Sequence, residues 1–205
     1  MKTLTRMTPF LLLFAAACSD VEDGDGHTHS HDENEVITTV TLAFTPDAGG
    51  ADLTFTWADP EDDGDPVIDS IVLPSGDYSM SVSFWNELED PAEDITEEID
   101  DESDSHQVFF TGSGVEGPAT GTNGSAVISQ AYADTDPNGL PVGLSNDIAS
   151  VQAGTGDLIV TLRHMPPEDG SDIKTSTAAD DVASGGFTAI GGDNDVQVTF
   201  PIEVQ

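Results

Sequence analysis

Apolar and polar residues alternate along short segments of the chain, and turn-forming residues separate these segments. In EVITTVTLAF, for example, Val40 and Leu42 alternate with threonine and alanine. A period of two with many β-branched residues is typical of half-buried strands. The pattern predicts strands at 35–44, 53–59, 67–73, 77–88, 106–112, 125–134, 146–153, 157–165 and 195–204. We therefore expect an all-β fold over residues 35–205, a single antiparallel β-sandwich of immunoglobulin-like architecture.

The same alternation selects the side chains that should face the interior of this sandwich. Residues two apart in a strand lie on one face of the sheet, so each strand contributes every second apolar residue to the core. The predicted core residues are Val40, Leu42, Phe55, Trp57, Ile71, Val82, Phe84, Val108, Phe110, Ile128, Leu158, Val160, Leu162, Val198 and Phe200.

Two regions depart from the strand pattern. In the acidic segment 89–104, Ile95 and Ile99 are four residues apart, which predicts one short helix resting on the sheet edge with Pro91 in its first turn. Acidic residues in the last turn oppose the helix dipole, so this helix should fray toward Ser103. Residues 166–194 are rich in Pro, Gly, Ser and Asp and should form long loops around a short edge strand at 186–190.

The first 17 residues have the features of an export signal. Lys2 and Arg6 precede a short apolar block and three alanines, and Cys18 follows directly. The cysteine after small residues resembles the lipobox of bacterial lipoproteins. The resemblance implies that Cys18 is lipidated on its sulfur, that the chain is then cut before it, and that the new N-terminus is acylated. Cleavage after Ala17 without lipidation is the alternative, because Ala15 stands where a lipobox usually has leucine. We expect a protein anchored to the outer membrane, and the sequence does not determine whether its domain lies on the periplasmic or the surface side.

Composition narrows the set of partners. The chain has 40 acidic residues against 4 basic ones, and only Arg163 and Lys174 of the basic ones lie beyond residue 17. Nucleic acid and anionic lipid surfaces both require clustered positive charge, so the composition excludes them as partners. Cations and basic surfaces are favoured instead. Adaptation to a saline habitat is the alternative explanation, since the acids are spread over every loop and Asp outnumbers Glu.

Residues 18–34 are small, polar and acidic, which predicts a disordered tether carrying a histidine-rich tract. Imidazole is the commonest side-chain ligand for transition metals, and alternate histidines in an extended segment can converge on one ion. A polar spacer in which the histidines are incidental is the alternative. The predicted zinc or copper ligands of the tether are His27, His29, His31, Asp25, Asp32 and Glu33.

A second metal site is predicted within the domain. His106 begins one predicted strand and His164 ends another, and strands distant in sequence can be neighbours in a sandwich. Glu102 lies in the acidic segment just before His106 and supplies a carboxylate. For each histidine taken alone, a partly buried side chain with a hydrogen-bonded partner is the alternative.

Two acidic loops have the spacing of calcium ligands. The first is 134–139, with Asp134, Asp136 and Asn138, and the second is 59–64, with Asp59, Glu61 and Asp63. Neither has the glutamate that an EF-hand requires at its twelfth position, so an EF-hand is excluded. The alternative is an acidic turn, since the same residues favour turns. The sequence has no nucleophile or metallohydrolase motif, and we expect no enzymatic activity.

Five segments carry a resemblance to a known family: 86–99, 106–112, 131–144, 153–166 and 195–205. They resemble small bacterial lipoproteins labelled "type 1 periplasmic binding fold superfamily", which accompany TonB-dependent receptors. The label implies alternating strands and long helices, whereas the residue pattern predicts strand after strand, and we follow the pattern. The resemblance implies nutrient uptake beside a receptor, and the histidines suggest a transition metal. A structural or adhesive surface module with calcium-binding loops is the alternative function.

Overall fold

A computed structural model describes residues 35–205, and strands dominate it. The strands are β1 (Thr39–Pro46), β2 (Leu53–Ala58), β3 (Val67–Ile68), β4 (Ile71–Leu73), β5 (Asp77–Asn86), β6 (Glu93–Asp94), β7 (His106–Thr111), β8 (Val115–Glu116), β9 (Ile128–Tyr132), β10 (Ser145–Ser150), β11 (Gly154–His164) and β12 (Asp193–Val204). The helices are α1 (Ile95–Asp101), α2 (Ala178–Gly185) and a 3₁₀ turn at Phe187–Ala189. The prediction of a mostly β fold is confirmed.

The strands of residues 35–205 form two sheets. The larger has eight strands, in the order β3-β2-β1-β5-β10-β9-β8 with β6 paired to β5, and the smaller has the order β4-β12-β11-β7. The prediction of a purely antiparallel arrangement is wrong, because β8 runs parallel to β9 and β4 runs parallel to β12. The predicted strand 67–73 is in fact two short strands, one in each sheet.

Side chains from both sheets bury themselves in one hydrophobic cluster. Opposite residues of β1 and β5 illustrate the register, since Val40 pairs with Phe84 and Leu42 with Val82, and all four are buried. Most predicted core residues belong to this cluster. Phe55 and Trp57 are only partly buried, because β2 lies near the end of its sheet, with only the two-residue β3 beyond it.

The predicted acidic helix is present as α1. Asp94 caps it by accepting a hydrogen bond from the Thr96 backbone N–H, and Ile95 and Ile99 are buried against the sheet. Pro91 precedes the helix and does not lie in its first turn as predicted, because the chain first forms β6 at residues 93–94. The four-residue spacing of Ile95 and Ile99 therefore predicts the helix correctly, whereas the predicted start of the helix is too early.

The segment 166–194 was predicted as loops, and this prediction is wrong for its second half. Helix α2 buries Ala178 and Val182, four residues apart, in a second cluster with Phe109 and Met165. Phe109 lies between two residues of the main core along β7, so α2 covers the opposite face of the smaller sheet. The expected edge strand at 186–190 is a 3₁₀ turn instead. No helix within residues 35–205 is long and apolar enough to span a membrane.

Candidate metal centre

Two histidines meet at one end of the smaller sheet. His106 is the first residue of β7, His164 is the last of β11, and the two are directly opposite each other in the antiparallel ladder. Their rings stack with centroids 4.6 Å apart and planes 8° from parallel. His106 lies on the same face of β7 as the core residues Val108 and Phe110, which are two and four residues further along. Both histidines are buried. The structure thus brings together the pair that the sequence suggested.

The backbone after helix α1 orients the His106 ring. Nδ1 of His106 lies 3.2 Å from the carbonyl oxygen of Glu102, the residue that ends the helix. A carbonyl oxygen can only accept, so Nδ1 carries the hydrogen and donates it. The other ring nitrogen, Nε2, then presents a lone pair. Metal-binding histidines commonly donate their second N–H to a carbonyl in this way.

A carboxylate that sequence reasoning missed faces this lone pair. Oδ2 of Asp195 lies 3.9 Å from Nε2 of His106, and both side chains are fully buried. Within residues 35–205, neither of the two atoms has a hydrogen-bond partner. Such atoms are uncommon in folded proteins, since a buried polar group without a partner costs about 1–3 kcal/mol.

Asp195 reaches this position through an irregularity in the ladder between β11 and β12. Leu162 pairs with Val196 and Arg163 pairs with Asn194, so one residue of β12, Asp195, has no partner of its own. An inserted residue of this kind re-aims its side chain. Strict alternation would place Asp195 on the face opposite Val196, which is why the sequence pattern gave no signal for it.

Glu102 completes the group of residues predicted as the second metal site. One ligand-type atom from each of Glu102, His106 and His164 lies within 4.8 Å of the other two. The three residues come from the end of α1 and from two paired strands, so the tertiary fold alone places them together. Histidine nitrogens with carboxylate oxygens form the type of ligand set that zinc and copper accept.

Burial changes the acid–base behaviour of the centre. Burial, the nearby His164 and the positive charge of Lys174 lower the pKa of His106 to about 4, against the opposing hydrogen bond to Glu102. Burial raises the pKa of Asp195 to about 7, although the hydrogen bond from the Glu35 backbone N–H opposes this change. His106 is therefore neutral at physiological pH, which is the form of imidazole that binds metals.

The first predicted calcium loop is built around Asp136. Oδ1 of Asp136 accepts hydrogen bonds from the backbone N–H groups of Asn138 and Leu140, each at 2.8 Å. Its Oδ2 pairs with the ammonium of Lys174 at 3.0 Å. Asp134 likewise accepts from the backbone N–H groups of Gly143 and Ser145. Calcium binding here stays a prediction, and these contacts favour the alternative of an acidic turn that donors within the chain already satisfy.

The second predicted calcium loop has a similar design. The buried Asp59 accepts hydrogen bonds from the backbone N–H groups of Asp63 and Gly64, and Asp63 accepts one from Asp65. Glu61 is exposed at the tip of the loop. Calcium binding stays a prediction here as well, and the contacts again match those of a hydrogen-bonded turn.

Both basic residues that follow Cys18 are buried and structural. Lys174 is 4% exposed and also donates to the carbonyl oxygen of Ser103 at 2.6 Å, so it ties the 166–194 segment to the end of α1. Arg163 donates to Asn194 and to the carbonyl of Gly191, and its guanidinium lies over the ring of Phe187. The surface of the described domain therefore gains almost no positive charge from them.

The remaining predicted site residues lie outside the described residues. These are the lipidation site Cys18 and the tether ligands Asp25, His27, His29, His31, Asp32 and Glu33. No protein-family model, curated protein or solved structure matches this chain. The resemblance to receptor-associated lipoproteins stays a prediction. The candidate site within the described residues is the centre formed by Glu102, His106, His164 and Asp195.

Proposed function

We propose that this chain is a lipid-anchored cell-envelope protein that binds or delivers a transition-metal ion, zinc or copper, beside an outer-membrane receptor of the TonB-dependent type. The observation that carries the metal-binding part is the buried His106–His164 pair, in which one ring nitrogen faces a buried carboxylate oxygen without a hydrogen bond. A bound cation would satisfy both atoms.

The structural or adhesive alternative, with calcium held by the acidic loops, has weaker support. Asp134, Asp136 and Asp59 already accept hydrogen bonds from backbone N–H groups, and Asp136 is also paired with a buried lysine. Calcium prefers six to eight oxygen ligands, and these loops would have to release their internal donors to provide them. We accordingly rank metal binding at the histidine centre first.

Isothermal titration calorimetry tests this function on the mature chain, residues 18–205, with Cys18→Ser in all samples to remove the thiol. We expect zinc to bind wild type and to lose its domain site in a His106→Asn/His164→Asn variant. A matched variant that replaces His27, His29 and His31 with serine separates tether binding from domain binding. Failure of zinc and copper to bind any of these chains, together with calcium binding to all of them, would support the alternative function.

The membrane anchor is proposed from the lipobox-like sequence around Cys18. Labelled fatty acid should be incorporated into the wild-type chain and not into Cys18→Ala, and fractionation should then move the variant out of the membrane pellet. Incorporation into both chains would exclude Cys18 as the lipidated residue.

We also propose that the two sheets form a sandwich of immunoglobulin-like architecture. Its support is that residues of both sheets join one core, with Phe84 and Val82 from the larger sheet and Phe200 and Val198 from the smaller one. An experimental structure with the sheets packed face to face in aligned orientation is the expected outcome.

A further inference from the structure

Two carboxylates lie beside the histidine pair, and their relations to His106 differ. Glu102 accepts a hydrogen bond from Nδ1 through its backbone carbonyl at 3.2 Å, and one of its carboxylate oxygens lies within 4.8 Å of a ring nitrogen of each histidine. Asp195 meets it from the other nitrogen, with Oδ2 at 3.9 Å from Nε2 and its side chain fully buried. The lone pair of His106 therefore points toward Asp195, whereas the Glu102 carbonyl holds the ring nitrogen that cannot bind a metal in this tautomer.

We propose that Asp195 supplies a carboxylate ligand to the metal ion bound at Nε2 of His106, and that Glu102 positions His106 through its carbonyl. This assignment rests on the proposed metal-binding function and adds to it the identity of the oxygen ligand. It makes Nε2 of His106 and Oδ2 of Asp195 two buried ligand atoms of one divalent transition-metal ion.

The separation of the two buried atoms supports this assignment. A hydrogen bond between nitrogen and oxygen spans about 2.7–3.2 Å, so 3.9 Å is too long for one. Zinc–nitrogen and zinc–carboxylate bonds are each about 2.0–2.2 Å, and an ion placed between the two atoms spans the observed gap. The same ion would satisfy both atoms that lack a partner within residues 35–205.

The ladder irregularity gives a second, independent argument. It interrupts the β11–β12 pairing next to His164 and leaves one extra residue on β12. Such irregularities weaken a sheet locally and frequently re-aim a side chain beside a functional site. Here the re-aimed side chain is a carboxylate that burial alone makes costly, so a bound cation accounts for both the irregularity and the buried acid.

Asp195 also connects the metal centre to Glu35 at the start of the described domain. Oδ1 of Asp195 accepts a hydrogen bond from the Glu35 backbone N–H at 3.3 Å, while Oδ2 faces His106. A cation on Oδ2 would lock the carboxylate in place and thereby hold this hydrogen bond. We therefore expect the Glu35 amide to report on the occupancy of the centre.

Zinc titration of single variants tests the assignment, in chain 18–205 with Cys18→Ser and serine at positions 27, 29 and 31. Loss of a group that only orients a ligand costs roughly 10–100-fold in metal affinity, so Asp195→Asn, which removes a ligand, should cost about 100-fold or more. Glu102→Gln, which keeps its backbone carbonyl, should cost less affinity than Asp195→Asn. Asp193→Asn is the matched control, since Asp193 lies exposed on the same strand, opposite His164.

The outcomes separate the two claims. Zinc binding that Asp195→Asn retains in full, while His106→Asn/His164→Asn abolishes it, would overturn the role of Asp195 and leave the proposed function intact. Absence of zinc binding in the parent chain would overturn the proposed function itself. Loss of affinity in Glu102→Gln with none in Asp195→Asn would exchange the roles of the two acids.

A measurement on the parent chain guards against misfolding of the Asp195 variant. On addition of zinc, the carboxylate ¹³C resonance of Asp195 should shift, that of Asp193 should not, and hydrogen exchange at the Glu35 amide should slow. An unmoved Asp195 resonance in the zinc-saturated chain would exclude it as a ligand.

Discussion

The histidine centre and the 134–139 loop are both clusters of metal-ligand residues, and they differ in how their polar atoms are satisfied. In the loop, Asp136 accepts two backbone hydrogen bonds and pairs with Lys174. In the centre, facing atoms of His106 and Asp195 are buried and no residue between 35 and 205 bonds to them. The central carboxylate of the loop is thus paired with a cation of the chain, whereas the two facing atoms of the centre have neither an ion pair with Lys or Arg nor a hydrogen bond within residues 35–205.

This difference shows which property identifies a site in a chain with 40 acidic residues. The spacing of carboxylates along the sequence could not distinguish a ligand set from a turn, because aspartate favours both. Oδ2 of Asp136 and Oδ2 of Asp195 are both buried without a hydrogen bond. The ammonium of Lys174 lies 3.0 Å from the first, whereas the second faces the neutral ring of His106 at 3.9 Å. The charge of the facing group therefore distinguishes the two regions.

The largest effect should come from breaking the loop's ion pair. Lys174→Met leaves the buried Asp136 without its cation, and breaking a buried pair costs about 3–5 kcal/mol. Urea denaturation of the metal-free protein measures this loss in the free energy of unfolding. The double variant Lys174→Met/Asp136→Asn should recover more than half of it, because it leaves no unpaired charge. A loss below about 1 kcal/mol in the single variant, as for an exposed pair, would show that the loop is open to solvent and able to accept a cation.

The next effect concerns the pH dependence of the metal-free centre. Burial in the folded state lowers the pKa of His106 from its ordinary value of 6.5 to about 4. Between these values the unfolded state holds more protons, so this residue makes stability rise with pH, by about 3 kcal/mol in total. Asp195 makes stability change with pH in the opposite direction. Burial raises its folded pKa to about 7, so its contribution to the free energy of unfolding declines as pH rises toward that value.

These opposing contributions predict a flat profile for wild type and a slope for each variant. Urea denaturation between pH 4 and 7 should show stability rising with pH in Asp195→Asn and falling with pH in His106→Asn. Parallel profiles in the two variants would mean that the two groups do not titrate as buried, separate groups.

Zinc should stabilise the centre and calcium should not stabilise the loop. A ligand at 100 times its Kd adds about 2.7 kcal/mol to the free energy of unfolding. Thermal denaturation in a chain with serine at positions 27, 29 and 31 should show this increase with zinc and no change with calcium at the same concentration. An increase with calcium that Asp134→Asn removes would reverse the comparison.

The smallest effect is expected at the exposed loop tip. Glu61→Gln should change stability by no more than about 0.5 kcal/mol, as is usual for a surface position away from any special contact. Calorimetry with calcium should give the same result for this variant and wild type. Weaker calcium binding in Glu61→Gln would assign a ligand role to the 59–64 loop.

The sequence by itself predicted the local features of this protein. Alternation placed Val40, Leu42 and Phe84 in the core, because a strand puts every second residue on one face. The spacing of Ile95 and Ile99 predicted α1 for the equivalent helical reason. The sequence also nominated Glu102, His106 and His164 as a group, from the ligand chemistry of those residue types and their places at strand ends.

Only the tertiary structure decided the features that depend on distant partners. Helix α2 is short, and its stability comes from packing Ala178 and Val182 against Phe109 and Met165, contacts that no local pattern encodes. The sequence pattern predicts one strand at residues 67–73, but the structure has two, β3 in the larger sheet and β4 in the smaller one. Asp195 faces His106 because one unpaired residue in the β11–β12 ladder turns it there. A pairing register is a property of two strands together, so neither strand's sequence could reveal it alone.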